Sequence, residues 1–100
     1  MDALKQEVPQ AWKDRAIEAQ SKMRETIEPE LARREYEMLI AQRLLSKAQD
    51  EASRETWRIQ VDVLQMFVIN AENDLEEQQE DLALCAAMIA EIEADLAAGD

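Results

Sequence analysis

Apolar residues recur at intervals of three and four along almost the whole chain, which is the period of an α-helix. The first such stripe consists of Val8, Trp12, Ala16, Ala19, Met23 and Ile27. Pro9 suits the first turn of that helix, whereas Pro29 disfavours helical geometry at the residue before it. We therefore expect a first helix over about 9–27 and a second helix that starts near Pro29, joined by either a reversal or a kink.

A second apolar stripe follows with the same spacing. Its members are Leu31, Met38, Ala41, Leu45, Ala48, Ala52, Ile59, Val63 and Met66. The chain's two asparagines, Asn70 and Asn73, then stand beside an aspartate, and these residue types favour helix caps. We therefore predict a long helix over about 30–69, a turn at 70–74 and a last helix over about 74–98.

A competing pattern runs straight through that turn. A strict 4-3 spacing joins Trp57, Val61, Leu64, Val68, Ala71, Leu75, Gln78, Leu82, Cys85, Ile89, Ile92 and Leu96. Such spacing is typical of one unbroken coiled-coil helix, and the turn would then lie nearer 50–54. Both alternatives predict a single all-α domain over 1–100, either an elongated helical hairpin or a three-helix arrangement with coiled-coil character.

The segment 57–69 is apolar on two opposed sides, so it needs a neighbour on each. At 100° per residue, Ile59, Val63 and Met66 share one side. If the chain reverses at Pro29, the first helix lies beside residues 30–48 and leaves the other side bare. A compact three-helix monomer, in which the first helix covers that side, and another protein in place of a second copy are the alternatives. We expect a homo-oligomer, most simply a two-fold dimer. Its interface residues would be Trp57, Val61, Leu64, Val68 and Phe67.

Charge divides the chain into two unequal parts. The sequence has 11 basic and 23 acidic residues, a formal net charge of −12, and residues 59–100 contain no Lys or Arg. The acids are densest at Glu72, Asp74, Glu76, Glu77, Glu80 and Asp81. Such a surface repels nucleic acid and anionic membranes and attracts basic protein surfaces, although acidic runs also serve only as solvated helix faces. An antiparallel helix that bears bases such as Arg33, Arg34 and Arg43 would suit this anionic segment.

The residue types that most catalytic and metal sites require are missing. The sequence contains no His, one Cys and one Gly, which excludes catalytic triads, His-based zinc sites and glycine-rich phosphate loops. We therefore expect no enzyme activity, no cofactor and no metal. The single Cys85 fits a buried thiol or a reducing compartment. No apolar stretch approaches the ~20 residues of a membrane span, and we expect a cytoplasmic protein.

Two functional hypotheses follow. The first is a non-catalytic helical adaptor or assembly protein that oligomerises through its apolar faces and binds a basic protein partner through the acids at 72–81. The second is an inhibitor of the kind that mobile elements encode, which blocks a nucleic-acid-binding site of a host protein by imitating its negative charge.

Overall fold

The computed structural model describes residues 7–99, which form an antiparallel helical hairpin. The first arm consists of α1 (Gln10–Lys22), a π-helical turn (Met23–Ile27) and α2 (Glu28–Lys47). The second arm is one helix of 48 residues, α3 (Glu51–Ala98). The hairpin measures 78 × 17 × 13 Å, and no strand occurs in this part of the chain. The predictions of an all-α fold and of an elongated hairpin are confirmed.

The hairpin turns at residues 48–50, where the backbone leaves helical geometry. Ala48 and Asp50 are both extended, and Asp50 is the N-cap of α3. Its Oδ1 accepts a hydrogen bond from the Ser53 backbone N–H at 2.8 Å, and its Oδ2 accepts one from the Ser53 hydroxyl at 2.9 Å. These bonds hold the pKa of the Asp50 carboxyl below its usual value. The cap satisfies an amide of the first turn of α3 and fixes where the helix begins.

The turn predicted at 70–74 is wrong, as are the helices 30–69 and 74–98 that it separated. Asn70 and Asn73 are exposed residues inside α3. Their side chains lie on the face away from the first arm. They therefore do not interrupt the seam, which is the 4-3 pattern from Trp57 to Leu96 on the other side of α3. The cost of an asparagine within a helix is a few tenths of a kcal/mol, which packing along the whole seam outweighs.

The chain does not reverse at Pro29: α1 continues through the π-helical turn into α2 in the same direction and packs on α3. The Glu28 N–H donates to the Met23 carbonyl, five residues back. Pro29 has no N–H, and its ring would clash with a carbonyl four residues back in a regular α-helix. The wider turn also absorbs an irregularity of the seam, because Met23, Ile27 and Leu31 are each four residues apart where a heptad alternates four and three.

The core is a thin line between the two arms. Its buried side chains are Val8, which precedes α1, then Ala19, Met23, Ile27 and Ala41 of the first arm, and Val68, Ala71 and Cys85 of α3. Cys85 is completely buried, whereas seam residues such as Trp57 and Leu75 are half-buried. Two helices alone cannot enclose large side chains on all sides, so the hairpin buries few residues for its length.

Candidate interaction surface

The seam side of α3 contains four of the five predicted interface residues. Val68 is buried, with 6 % of its surface exposed, and Trp57, Val61 and Leu64 are half-buried. All four face the first arm of the same chain, where the sequence analysis placed them on an intermolecular face. The difference follows from the turn at residues 48–50, which returns α3 along α2 and so covers this side within the chain.

The apolar side that stays exposed is the opposite one, which we call the outer face of α3. Ile59, Val63 and Met66 lie within about 60° of each other around the helix axis and are 49 %, 37 % and 63 % exposed. Ile69 is exposed beside them. Single exposed apolar residues are common on protein surfaces. Three large apolar side chains in line on one exposed helix face form a contiguous patch, which is typical of interaction surfaces.

Phe67, the fifth predicted interface residue, stands at the edge of the outer face and is half covered by a cation. The Arg34 guanidinium lies over its ring, 4.5 Å from the ring centre. Arg34 donates hydrogen bonds to Glu30 at 2.8 Å and to Glu37 at 3.1 Å. The hydrogen bonds from Arg33 and Arg34 lower the pKa of the Glu30 carboxyl. Phe67 therefore contributes to contact between the arms and offers only part of its ring to a partner.

The predicted acidic surface separates into five free carboxylates and one that is engaged within the chain. The five exposed members are Glu72, Asp74, Glu76, Glu77 and Glu80. Asp81 is half-buried and pairs with Arg15 of α1, whose Nε donates to Oδ2 at 3.0 Å. This hydrogen bond lowers the pKa of the Asp81 carboxyl. Asp81 therefore links the arms near the open end, and the other five are available to a partner.

The bases of α3 do not neutralise this surface. Arg54 and Arg58 are the only two in the helix. Arg54 donates from Nε to the Ala48 carbonyl at the turn, and Arg58 pairs with Glu55 at 2.7 Å. Both lie at the tip of the hairpin, on the far side of the apolar stripe from Glu72–Glu80. The outer face thus passes from apolar at residues 59–66 to anionic at Glu77 and Glu80.

The exposed side of α2 has a different character. Tyr36 and Leu39 are exposed there, and Leu39 lines a shallow groove that continues onto Val68 and Glu72 of α3. Its charges are mixed, since Arg33 pairs with Glu30 and the nearby Glu35 and Arg43 are exposed. The apolar patches on α2 and on the outer face of α3 therefore lie in different electrostatic settings.

Within residues 7–99, no three His, Cys, Asp or Glu side chains converge on a point where they could hold a metal ion. None of the helices described has both the length and the hydropathy that crossing a membrane requires. No protein-family model matches the sequence, and comparisons with curated proteins and with solved structures give no significant match. The geometry and charge of the hairpin therefore carry the functional argument.

Proposed function

We propose that this chain is a non-catalytic, acidic helical interaction protein of the adaptor or assembly type, and that the outer face of α3 binds a basic protein partner. The observation that supports it is the exposure of Ile59, Val63 and Met66 in line with the unpaired carboxylates Glu77 and Glu80. A partner that covered these three apolar side chains, which we call the stripe, would gain apolar burial. A partner with basic residues opposite Glu77 and Glu80 would also gain electrostatic attraction.

The exposed part of the stripe sets how much a partner can gain by covering it. Full burial of a Val, Ile or Met side chain contributes about 1.5–3 kcal/mol, and the three stripe residues already have part of their surface covered by the helix itself. Covering the rest would add about 1 kcal/mol for each, before the cost of association. That is enough to favour one orientation of a partner, and the charges then select which partners can approach.

Self-association is the second part of the proposal, and the charges favour α2 for it. Two copies of α2 in antiparallel contact around Tyr36 and Leu39 would bury both side chains under two-fold symmetry. Because acids and bases alternate near them, this contact does not set a block of like charges against itself. Two copies of the acidic part of α3 would do so. We therefore propose a dimer through α2 that leaves α3 free for the partner.

The alternative function is inhibition of a nucleic-acid-binding protein by charge imitation. The five exposed carboxylates from Glu72 to Glu80 span about 12 Å of helix, or roughly one charge per 3 Å, which is close to the 3.4 Å spacing along one nucleic-acid strand. At 100° per residue, however, these carboxylates are distributed around the helix instead of along one line. This arrangement supports attraction of basic proteins more than imitation of a phosphate backbone.

The test of the partner surface begins with a photo-reactive amino acid at position 66 in the full chain, expressed in its native source. The cross-linked protein is identified, purified and titrated by calorimetry. We expect a protein with a basic contact face, and a loss of at least about tenfold in affinity for both Met66→Asp and the Glu77→Gln/Glu80→Gln pair. Gln79→Glu, exposed on another side of α3, is the matched control and should change affinity less than about twofold. Unchanged affinity in the first two variants would refute the proposed surface.

The dimer and the alternative function need separate readouts. Sedimentation at micromolar concentration should give twice the 11.5 kDa chain mass, and Tyr36→Glu/Leu39→Glu should restore the monomer. A monomer in the unmodified protein refutes the dimer.

Competition between this protein and a nucleic acid for one site on the purified partner, falling steeply with salt, would instead favour the charge-imitation function.

A further inference from the structure

The outer face of α3 repeats the 4-3 spacing of the seam, displaced around the helix. Its positions are Ile59, Val63, Met66, Asn70, Asn73, Glu77, Glu80, Leu84 and Ala87. All nine are exposed in the hairpin. A helix with two heptad-spaced faces can take a neighbouring helix on each of them. The first arm occupies one face of α3, and in this chain the second face has no helix on it within residues 7–99.

We infer that this second face is a coiled-coil seam that receives one amphipathic, basic helix of the partner, in a single register. The inference rests on the proposed function and adds to it the shape, charge and alignment of the partner segment. Ile59, Val63 and Met66 supply the apolar layers, in which partner side chains insert between those of α3. Glu77 and Glu80 occupy the layers two heptads further along, where only a basic side chain of the partner can be accommodated without an unpaired charge.

The charges that flank this second seam exclude a second copy of α3 as its occupant. The positions on either side carry Asp62, Asp74 and Glu76, all unpaired in the hairpin, and Glu55, which Arg58 engages. In parallel contact with a second α3, Glu77 and Glu80 would each face themselves. In antiparallel contact centred on the apolar layers, Glu55 would approach Glu76 of the second copy. Every such register sets acids against acids, whereas Lys or Arg at the flanks of a foreign helix would pair with them.

The two asparagines give the seam its register. Asn70 and Asn73 occupy successive layers between the apolar part and the acidic part. A polar layer within a coiled coil is stable only when the opposing residue can hydrogen-bond with it, so it selects one alignment at some cost in stability. Sliding the partner helix by one heptad toward the C-terminus of α3 would place apolar side chains on both asparagines, and sliding it the other way would place the bases on them. The partner segment is therefore apolar, then polar, then basic over about three heptads.

The test uses synthetic helical peptides of 28 residues with the full chain, so the natural partner is not needed. The matched peptide has Leu at three layers, Asn at two and Lys at two, with Lys at the flanks. A layer-swapped peptide of identical composition has the layer order Leu, Lys, Asn, Leu, Asn, Lys, Leu, which reads the same in both directions and therefore matches α3 in neither. The matched peptide is made in both sequence directions, because parallel and antiparallel packing need opposite orders. We expect one matched peptide to bind at least about tenfold more tightly than the swapped peptide, and Met66→Asp to remove the difference.

Two results would overturn the inference and leave the proposed function standing. Equal affinity of matched and swapped peptides would mean that the acids attract any basic helix without a seam. Rapid disulfide formation by Met66→Cys in a Cys85→Ala background, without peptide, would mean that a second copy occupies the face. Asn70→Leu/Asn73→Leu should fold normally and bind a peptide whose layers are shifted by one heptad as tightly as the matched peptide. If this variant still prefers the matched peptide, the asparagines do not set the register. The proposed function fails separately, if Met66→Asp does not lower the affinity for the purified natural partner.

Discussion

The two faces of α3 share one spacing and differ in what lies along it. From Trp57 to Leu96 the seam is apolar or small at every position except Gln78, and the first arm packs on it from Trp57 to Cys85. The outer face changes from Ile and Met to Asn and then to Glu within about three heptads, and it is exposed throughout. Periodicity therefore locates a helix face, and composition along that face decides whether the chain can cover it with its own residues.

The largest effect should come from placing the same charge on each face. Val68→Asp buries a carboxylate among the seam residues without a partner, and we expect the free energy of unfolding to fall by about 3–5 kcal/mol. Val63→Asp puts a carboxylate on the outer face, and we expect the free energy of unfolding to change by less than about 1 kcal/mol. Urea denaturation followed by circular dichroism at 222 nm measures both. Equal destabilisation would mean that the outer face is packed in the isolated protein.

This contrast also shows how far the sequence could be used to predict the structure. The all-α fold and the hairpin follow from helix period and composition, because almost no residue in the chain opposes a helix. The unbroken seam through Ala71 is one of the two patterns that the sequence contains. The asparagines favour the other pattern, because a cap preference does not depend on which helix face the residue occupies. The capping aspartate at the true turn, Asp50, is a stronger signal when Ser53 follows three residues later.

The exposed stripe could be found from the sequence, but its exposure could not. Both apolar sides of 57–69 are evident from the period, and nothing local decides which one the first arm covers. That choice depends on where the chain reverses, and a shift of the turn by about 20 residues exchanges the two sides. The Arg15 and Asp81 pair lies beyond sequence reasoning for the same reason, because its partners are 66 positions apart.

An intermediate effect should follow from correcting the extra residue in the seam of the first arm. Deleting Glu25 together with Pro29→Ala restores alternate spacings of four and three, so we expect a regular helix and a change in stability of less than about 1 kcal/mol. Deleting Glu35 with Pro29→Ala is the matched control. It rotates one part of the seam by about 100° relative to the rest and should cost at least about 2–3 kcal/mol. If both deletions cost the same, the π-helical turn does not serve to keep the seam in register.

The smallest effect concerns the open end of the hairpin, where Arg15 holds Asp81. Because this contact lowers the pKa of Asp81, its stabilisation is present above the unfolded-state pKa of about 3.9 and is lost as pH falls through the lower folded-state value. Trp12 reports on this end, since the Arg15 guanidinium lies 5.5 Å from the centre of its ring. In a Trp57→Phe background, we expect Trp12 fluorescence to shift below about pH 4, and Asp81→Asn to show the shifted emission already at pH 7.

The control is Glu80→Gln, which removes the neighbouring exposed carboxylate and should keep the original pH profile. An identical acid transition in Asp81→Asn would show that another group controls the opening of this end, and the acidic surface would then be electrostatically independent of the contact between the arms.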